Sequence, residues 1–210
     1  MEAPLTLHVV YTMNLRGDLE ILPRLYSLIK KLRAEYARET SDSSPVDSNT
    51  LLVDLGNACA PGVWHCDVTG GRSMLIALDG MGYHAANVTG YLTPEGRIKL
   101  ADTVRLGLVD AVHPHDYRGI RLTCEPQPDT PQFQIYLAPG DATRIAGSVL
   151  YLAGVETGQV GMAQVNRSVP MLITHDVISL SSSTPPDPTI SGVIEFVLSE
   201  ARYFQRRQAL

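Results

Sequence analysis

Two apolar runs, each stopped by a glycine, constrain the fold more than any other feature of this chain. Leu7-His8-Val9-Val10-Tyr11-Thr12 is rich in β-branched and aromatic residues and ends at Met13-Asn14-Leu15-Arg16-Gly17; Leu51-Leu52-Val53-Asp54-Leu55 ends at Gly56. Runs this apolar mark strands covered on both faces. Between them Leu22, Leu25, Ile29, Leu32 and Tyr36 recur at helical spacing, with Pro23 in the first turn and Lys30, Lys31 and Arg33 toward the C-terminal end. A strand–helix–strand unit of this kind joins parallel strands.

The alternation continues and then changes. Residues 41–49 form a polar stretch that reads as a loop. "TGGRSMLIALDGMGY" (69–83) predicts a short helix stopped at Gly82, His84–Gly90 a third strand, and Thr93-Pro94-Glu95 the cap of a helix running to about Leu106. From residue 117 short apolar segments at 117–124, 132–139, 147–154, 158–165 and 169–180 are punctuated by Gly and Pro, which predicts antiparallel pairing. Asp187-Pro188 opens a final helix striped by Ile190, Val193, Ile194 and Val197. With no internal repeat and no linker, the chain predicts one domain over 1–210, of α/β class with α+β character.

Composition removes several functions. The net charge of −5 comes with no basic stripe, which argues against a nucleic-acid groove. No apolar run is long enough for a membrane span, and no charged segment leads into an apolar one as in a secretory leader. Three cysteines, Cys59, Cys66 and Cys124, are few and odd in number, which predicts a reducing, cytoplasmic setting and ordinary buried thiols. No Gly-x-Ser-x-Gly elbow, P-loop or full dinucleotide-binding glycine pattern is present.

Open α/β sheets place their sites at the C-terminal ends of strands. Here those ends read Asn14-Leu15-Arg16-Gly17, Gly56-Asn57-Ala58 and Gly90-Tyr91-Leu92-Thr93. "LHVVYTMNLRGDLEILPRLYSLIKKLR", "LLVDLGNA" and "GRSMLIALDGMGYHAANVTGYLT" resemble the opening strands and loops of the calcineurin-like metallophosphoesterases, in the 5′-nucleotidase and cyclic-phosphodiesterase branch. "LAGVETGQVGMAQV" and "VISLSSSTPPDPTISGVIEFV" resemble the closing strands and helix of that domain. The resemblance implies a layered αββα sandwich, here shortened over 107–146, where His113-Pro114-His115-Asp116 is the one candidate for the family's two late histidine motifs and its context matches them poorly.

Carried over position by position, the resemblance puts the family's first metal-binding Asp at Asn14 and its His at Arg16. The bridging Asp falls on Asn57, and the Asn and His of the third loop fall on Tyr91 and Leu92. A binuclear centre holds its ions roughly 3.5–4 Å apart and needs anionic bridging to do so. An amide supplies no charge, and a guanidinium at ~4 Å opposes each unit of cation charge by about 4 kcal/mol at an effective dielectric near 20, with no proton to shed. The expectation is a catalytically silent member of the fold with no metal and no cofactor, serving as a binding or interaction module for a protein partner or a phosphate-type anion.

Arg16, with Gly70, Gly71 and Arg72 at a helix opening, is the candidate anion site; the plainer reading pairs Arg16 with Asp18 or Asp54. The competing expectation is a residual metal-dependent phosphoesterase, its site relocated to His84, His113, His115 or the Cys59–His65–Cys66 loop, or completed by a partner chain. Self-association into a homo-oligomer is a further expectation, since the shortened second half leaves a blunt surface.

Overall fold

Val10 and Leu52 point to one side of the first sheet, while Val9, Val53 and Leu55 point to the other, and each side has its own core. The computed structural model describes residues 6–39, 49–127 and 129–208. Apart from Asn49, the polar stretch at 41–49 lies outside them. The elements are β1 (Thr6–Thr12), α1 (Leu22–Glu39), β2 (Thr50–Asp54), α2 (Trp64–Thr69), α3 (Arg72–Gly80), β3 (Ala85–Asn87), α4 (Pro94–Ala101) and β4 (Gly107–Val109). There follow β5 (His115–Tyr117), β6 (Ile120–Thr123), β7 (Gln134–Gly140), β8 (Arg144–Ala146), β9 (Val149–Ala153), β10 (Gln159–Asn166), β11 (Met171–Ser179) and α5 (Pro188–Gln208).

The first sheet has six strands in the order β11-β10-β1-β2-β3-β4. β1 to β4 run parallel, as the strand–helix alternation predicts, and β10 and β11 add antiparallel at one side. The second sheet has five strands, β5-β6-β7-β9-β8. It differs from the expected antiparallel set, because β6, β7 and β9 pair parallel and only its outer strands, β5 and β8, are antiparallel to their neighbours. Short apolar segments carry no signal for direction; the connections decide it.

Helices α1 to α5 all bury side chains in the core on the first sheet's outer face, among them Leu25, Cys66, Leu78, Leu100 and Ile194. The second core lies between the two sheets and takes no helical residue. The described residues therefore form three layers, helix on sheet on sheet, of α+β class. No helix among them covers the far side of the second sheet, where an αββα arrangement would have one. Local chemistry matches the sequence at the caps: Thr93 Oγ1 accepts the Gly96 N–H at 3.0 Å, and Asp187 Oδ1 accepts from Thr189 and Ile190 N–H at 2.9 and 3.2 Å.

Between the sheets the ring of Tyr11 lies flat across β10. A Cβ built on Gly161 would come within 2.0 Å of Tyr11 Cζ, and Tyr11 is fully buried. No side chain fits there without displacing the ring. Gly161→Ala is expected to destabilise the fold by about 2 kcal/mol or more, the range of overpacked cores; an unchanged urea midpoint would show that the ring yields freely.

Candidate functional site

The backbone pairing of β1 and β2 does not stop where the strands do. Leu55 N–H donates to Thr12 O at 2.8 Å, Asn14 N–H to Gly56 O at 3.0 Å, Arg16 N–H to Asn57 O at 2.8 Å and Gly17 N–H to Ala58 O at 2.7 Å. The two loops are zipped together across 12–17 and 55–58. Such pairing needs left-handed backbone at Asn14 (φ 57°), Arg16 (φ 52°) and Asn57 (φ 57°). Asparagine tolerates that conformation, whereas arginine adopts it less readily. Gly17 has φ 83°, and a Cβ there would lie 2.7 Å from Val63 Cγ1, so α2 is seated against a position that only glycine fits.

Side chains finish the zipper. Asn14 Nδ2 donates to Val155 O at 3.2 Å, and Asn14 Oδ1 accepts from Asn57 Nδ2 at 3.0 Å. The Thr157 hydroxyl donates to the Asn14 carbonyl. Asn87, at the end of β3, donates from Nδ2 to Leu55 O at 3.1 Å and to Leu137 O at 2.6 Å, which ties the two sheets together. Three asparagines thus close the strand ends with neutral amides.

Beneath them, on the helix side, sits an acid. Asp54 is fully buried; its Oδ1 accepts from Gly56 N–H at 2.9 Å and its Oδ2 from the Thr12 hydroxyl at 2.8 Å. Tyr83 Oη lies 3.0 Å from Thr12 Oγ1. While Asp54 is ionised the single Thr12 proton goes to it and Tyr83 donates in turn; once Asp54 is protonated, either hydroxyl can donate to the other. Burial pushes Asp54 up to about 7, against the pull of Thr12 and the Gly56 N–H. Burial also raises Tyr83 and Tyr91, and the Asp54 charge adds to both. The Tyr91 hydroxyl is enclosed and has no hydrogen-bond partner among the described residues.

The positions that the resemblance aligned with metal ligands are placed as follows. Asn14, Arg16 and Asn57 do meet at the zipped loops. Tyr91 and Leu92 lie on the β3–α4 loop, with N–H groups directed at Val88 O and side chains packed on the helical core. Arg16 is exposed, and its guanidinium makes no ion pair among the described residues, so neither Asp18 nor Asp54 neutralises it. The fit to a pair of dications fails on donor chemistry, since both ends of the Asn14 amide are occupied and the nearby carboxylate, Asp54, is buried and turned to Thr12.

The remaining candidates need correction. Arg72 is not free for an anion: it is buried, donates Nε–H to Thr69 O at 2.9 Å, pairs with Glu200 at 3.3 Å and stacks on Phe204. Gly70 and Gly71 do not present open N–H groups either, because these close α2 by donating to Asp67 O and Cys66 O, and Ser73 N–H is capped by the Thr69 hydroxyl. Cys59 and Cys66 are joined in a disulfide rather than being ordinary thiols, and Cys124 stands apart on the second sheet. With a disulfide present, cysteine usage no longer supports the reducing-compartment reading.

His65 bridges Ser73 Oγ at 2.8 Å and the Gly17 carbonyl at 2.9 Å, and burial lowers its pKa. It is a strut between α2, α3 and the first loop. His113 turns back onto Asp110 at 2.9 Å. His84 and His115 do come together, lining a cleft of about 450 Å³ with Tyr117 and Arg105. Among the described residues, however, no group of three or more His, Cys, Asp or Glu side chains converges as a metal site would require. A second cleft of about 270 Å³ opens at the ends of β2 and β3, walled by the disulfide, Pro61, Tyr91, Thr93 and Asp67. Its charged group is a carboxylate, which does not draw phosphate.

Thr12, Tyr83 and Asn87 escaped the sequence reading, and Asp54 entered it only as a possible partner of Arg16. The available signal was an acid closing the otherwise apolar Leu51-Leu52-Val53 run, a placement that strands avoid unless the charge has a use. Over the described residues the chain is an α+β protein of two mixed sheets and five helices. No protein-family model matches it, and no curated protein does. No helix among the described residues is long and apolar enough to cross a membrane.

Unfolded, an aspartate titrates near ~3.9; folded, Asp54 holds its proton to about pH 7. The native state is therefore the better proton binder between those values. Its stability from this group falls as pH rises through that window and is level above it. Asp54→Asn should gain on the wild type by on the order of a few kcal/mol between pH 4 and pH 8. Parallel stability–pH curves from urea titrations of the two proteins would contradict the assignment.

Proposed function

We propose that this chain is a catalytically silent, metallophosphoesterase-like module whose strand ends serve structure and partner contact instead of hydrolysis. The reading rests on the resemblance of the quoted motifs and on one observation above all. Asn14 stands where that resemblance puts the first metal-binding acid, and it uses its amide at both ends, on Val155 O and on Asn57. A carboxylate could make only the second kind of contact, and only with a donor. The amide is therefore selected by its hydrogen bonds, and charge has no part in it.

The phosphate reading weakens with the geometry. Of Arg16, Gly70, Gly71 and Arg72, three are occupied within the protein. A lone exposed guanidinium is a contact point for an acidic group on a protein surface, and it is too little to hold a free phosphate against water. The preferred ligand is thus a protein partner reaching Arg16 beside the zipped loops.

Two measurements on the purified chain test this. After incubation with Mn²⁺, Zn²⁺ or Fe²⁺ and desalting, metal analysis should find no stoichiometric ion, and bis-p-nitrophenyl phosphate should not turn over above the buffer rate. A stoichiometric pair of ions together with turnover would overturn the proposal. Inorganic phosphate should leave the melting temperature of wild type and Arg16→Ala alike; a phosphate shift lost in Arg16→Ala would restore the anion site.

A further inference from the structure

A disulfide that holds a small domain together does most when it closes a long loop. Cys59–Cys66 spans a sequence separation of only 7, in a molecule that already has two apolar cores. Its placement also differs from that of a buried staple. Cys59 and Cys66 are 5% and 4% exposed, yet both line the cleft of about 270 Å³ at the ends of β2 and β3. The cleft is the way in to the sulfur–sulfur bond.

Each sulfur has a polar neighbour suited to the broken bond. The Gly71 carbonyl oxygen lies 3.7 Å from Cys59 Sγ. A carbonyl only accepts, so it pairs with Cys59 once that sulfur carries a proton, and not with a disulfide sulfur. Ser73 Oγ lies 3.9 Å from Cys66 Sγ and 2.8 Å from His65 Nδ1, and His65 Nε2 lies 2.9 Å from Gly17 O. Because Gly17 O accepts, Nε2 carries the proton of the neutral ring, and Nδ1 takes the Ser73 hydroxyl proton. Burial holds His65 toward that neutral form. A negative charge arriving on Cys66 would turn the Ser73 hydroxyl to the sulfur, since a charged acceptor is the stronger one.

We propose that Cys59–Cys66 is a thiol–disulfide exchange site, and that its substrate is a small thiol entering the cleft between Pro61 and Tyr91. A thiolate RS⁻ attacks Cys59 Sγ, the Cys59–Cys66 bond breaks, and Cys66 Sγ leaves with the electron pair. Ser73 donates to the new Cys66 thiolate. His65 Nδ1 takes up the proton the thiol released and donates to Ser73 Oγ, which sets a positive charge behind the negative one. A second RS⁻ attacks the R-bearing sulfur of the mixed disulfide and expels Cys59. Cys59 takes the second thiol's proton, and Cys66 takes the first from His65 through Ser73. In sum two thiols are oxidised to RSSR, and one disulfide is reduced to two thiols.

The cleft also selects among thiols. Its charged group is Asp67, next to Cys66, whose carboxylate makes no ion pair among the described residues. A thiol bearing an ammonium group is drawn to that carboxylate, and one bearing a sulfonate or carboxylate is repelled. The preferred substrate is therefore a small aminothiol. None of these groups takes part in the zipped loops, so the site stands whether or not the reading of the chain as a silent module does.

The full chain, oxidised and freed of small thiols, is treated in native buffer of low ionic strength with cysteamine or with mercaptoethanesulfonate. Iodoacetamide stops the reaction, and peptide masses locate each adduct. Cysteamine should reduce the bond while the far-UV spectrum stays native, with the first adduct on Cys59 and Cys66 alkylated. At equal thiolate concentration the preference for cysteamine should fall by about threefold or more in Asp67→Asn, and should shrink with added salt. In Ser73→Ala the first adduct should divide between Cys59 and Cys66, a change that lost stability alone would not produce. Should that variant fail to fold, Asp67→Asn, at an exposed position, carries the test. A bond that yields only when urea unfolds the chain would overturn the proposal. So would a first adduct on Cys66 in the wild type, or a thiol preference unchanged in Asp67→Asn.

Discussion

The structure depends on a parallel strand pair that keeps pairing after its strands have ended. β1 and β2 exchange backbone hydrogen bonds through Thr12–Leu55, Asn14–Gly56, Arg16–Asn57 and Gly17–Ala58. Loops normally leave the sheet to reach solvent or ligand. Here two of them are sewn edge to edge, and left-handed backbone at three non-glycine positions is the cost. What holds those conformations is the neutral hydrogen bonding of Asn14, Asn57 and Asn87, with Val155 and Leu137 brought in from the second half of the chain. The strand ends are thus where both sheets and both halves of the sequence are tied.

That arrangement has an electrostatic counterpart below it. Asp54 is enclosed with hydroxyls and one backbone N–H for company, and no cation among the described residues pairs with it. A buried carboxylate lacking a counter-charge holds its proton more tightly, which is why burial pushes Asp54 up to about 7. A metal centre would invert the logic, since divalent ions stabilise ionised carboxylates. The absence of positive charge beneath the loops and the amides above them are two consequences of one choice: this end of the sheet is built from neutral groups, with Arg16 left outside.

Much of the frame was legible in the sequence because burial leaves a periodic mark. The Leu22-Leu25-Ile29-Leu32 spacing gave α1, the apolar runs gave β1 and β2, and Thr93 and Asp187 gave their caps, since each signal is local. Strand direction in the second sheet was not legible, because β6, β7 and β9 are short and similar and their pairing is set by chain connections. Arg72 and the Gly70-Gly71 pair misled for the same reason: a guanidinium near a helix start looks available until Glu200 and Phe204, more than a hundred residues away, are seen against it. The Cys59–Cys66 bond depended on a loop closing, which spacing alone does not fix. Asp54 was visible but was read as a plain partner for Arg16, because nothing local says which face of a strand end lies under the helices.

The most direct measurement is the stability of Asn14→Asp with and without Mn²⁺, by urea denaturation near pH 8. An amide that must donate to Val155 O cannot be replaced by a carboxylate, so the variant should lose about 1–3 kcal/mol, the penalty for breaking a buried hydrogen bond, and Mn²⁺ should restore none of it. A variant as stable as wild type, or one rescued by the ion, would show that position 14 still belongs to a metal site and that the zipped amides are incidental.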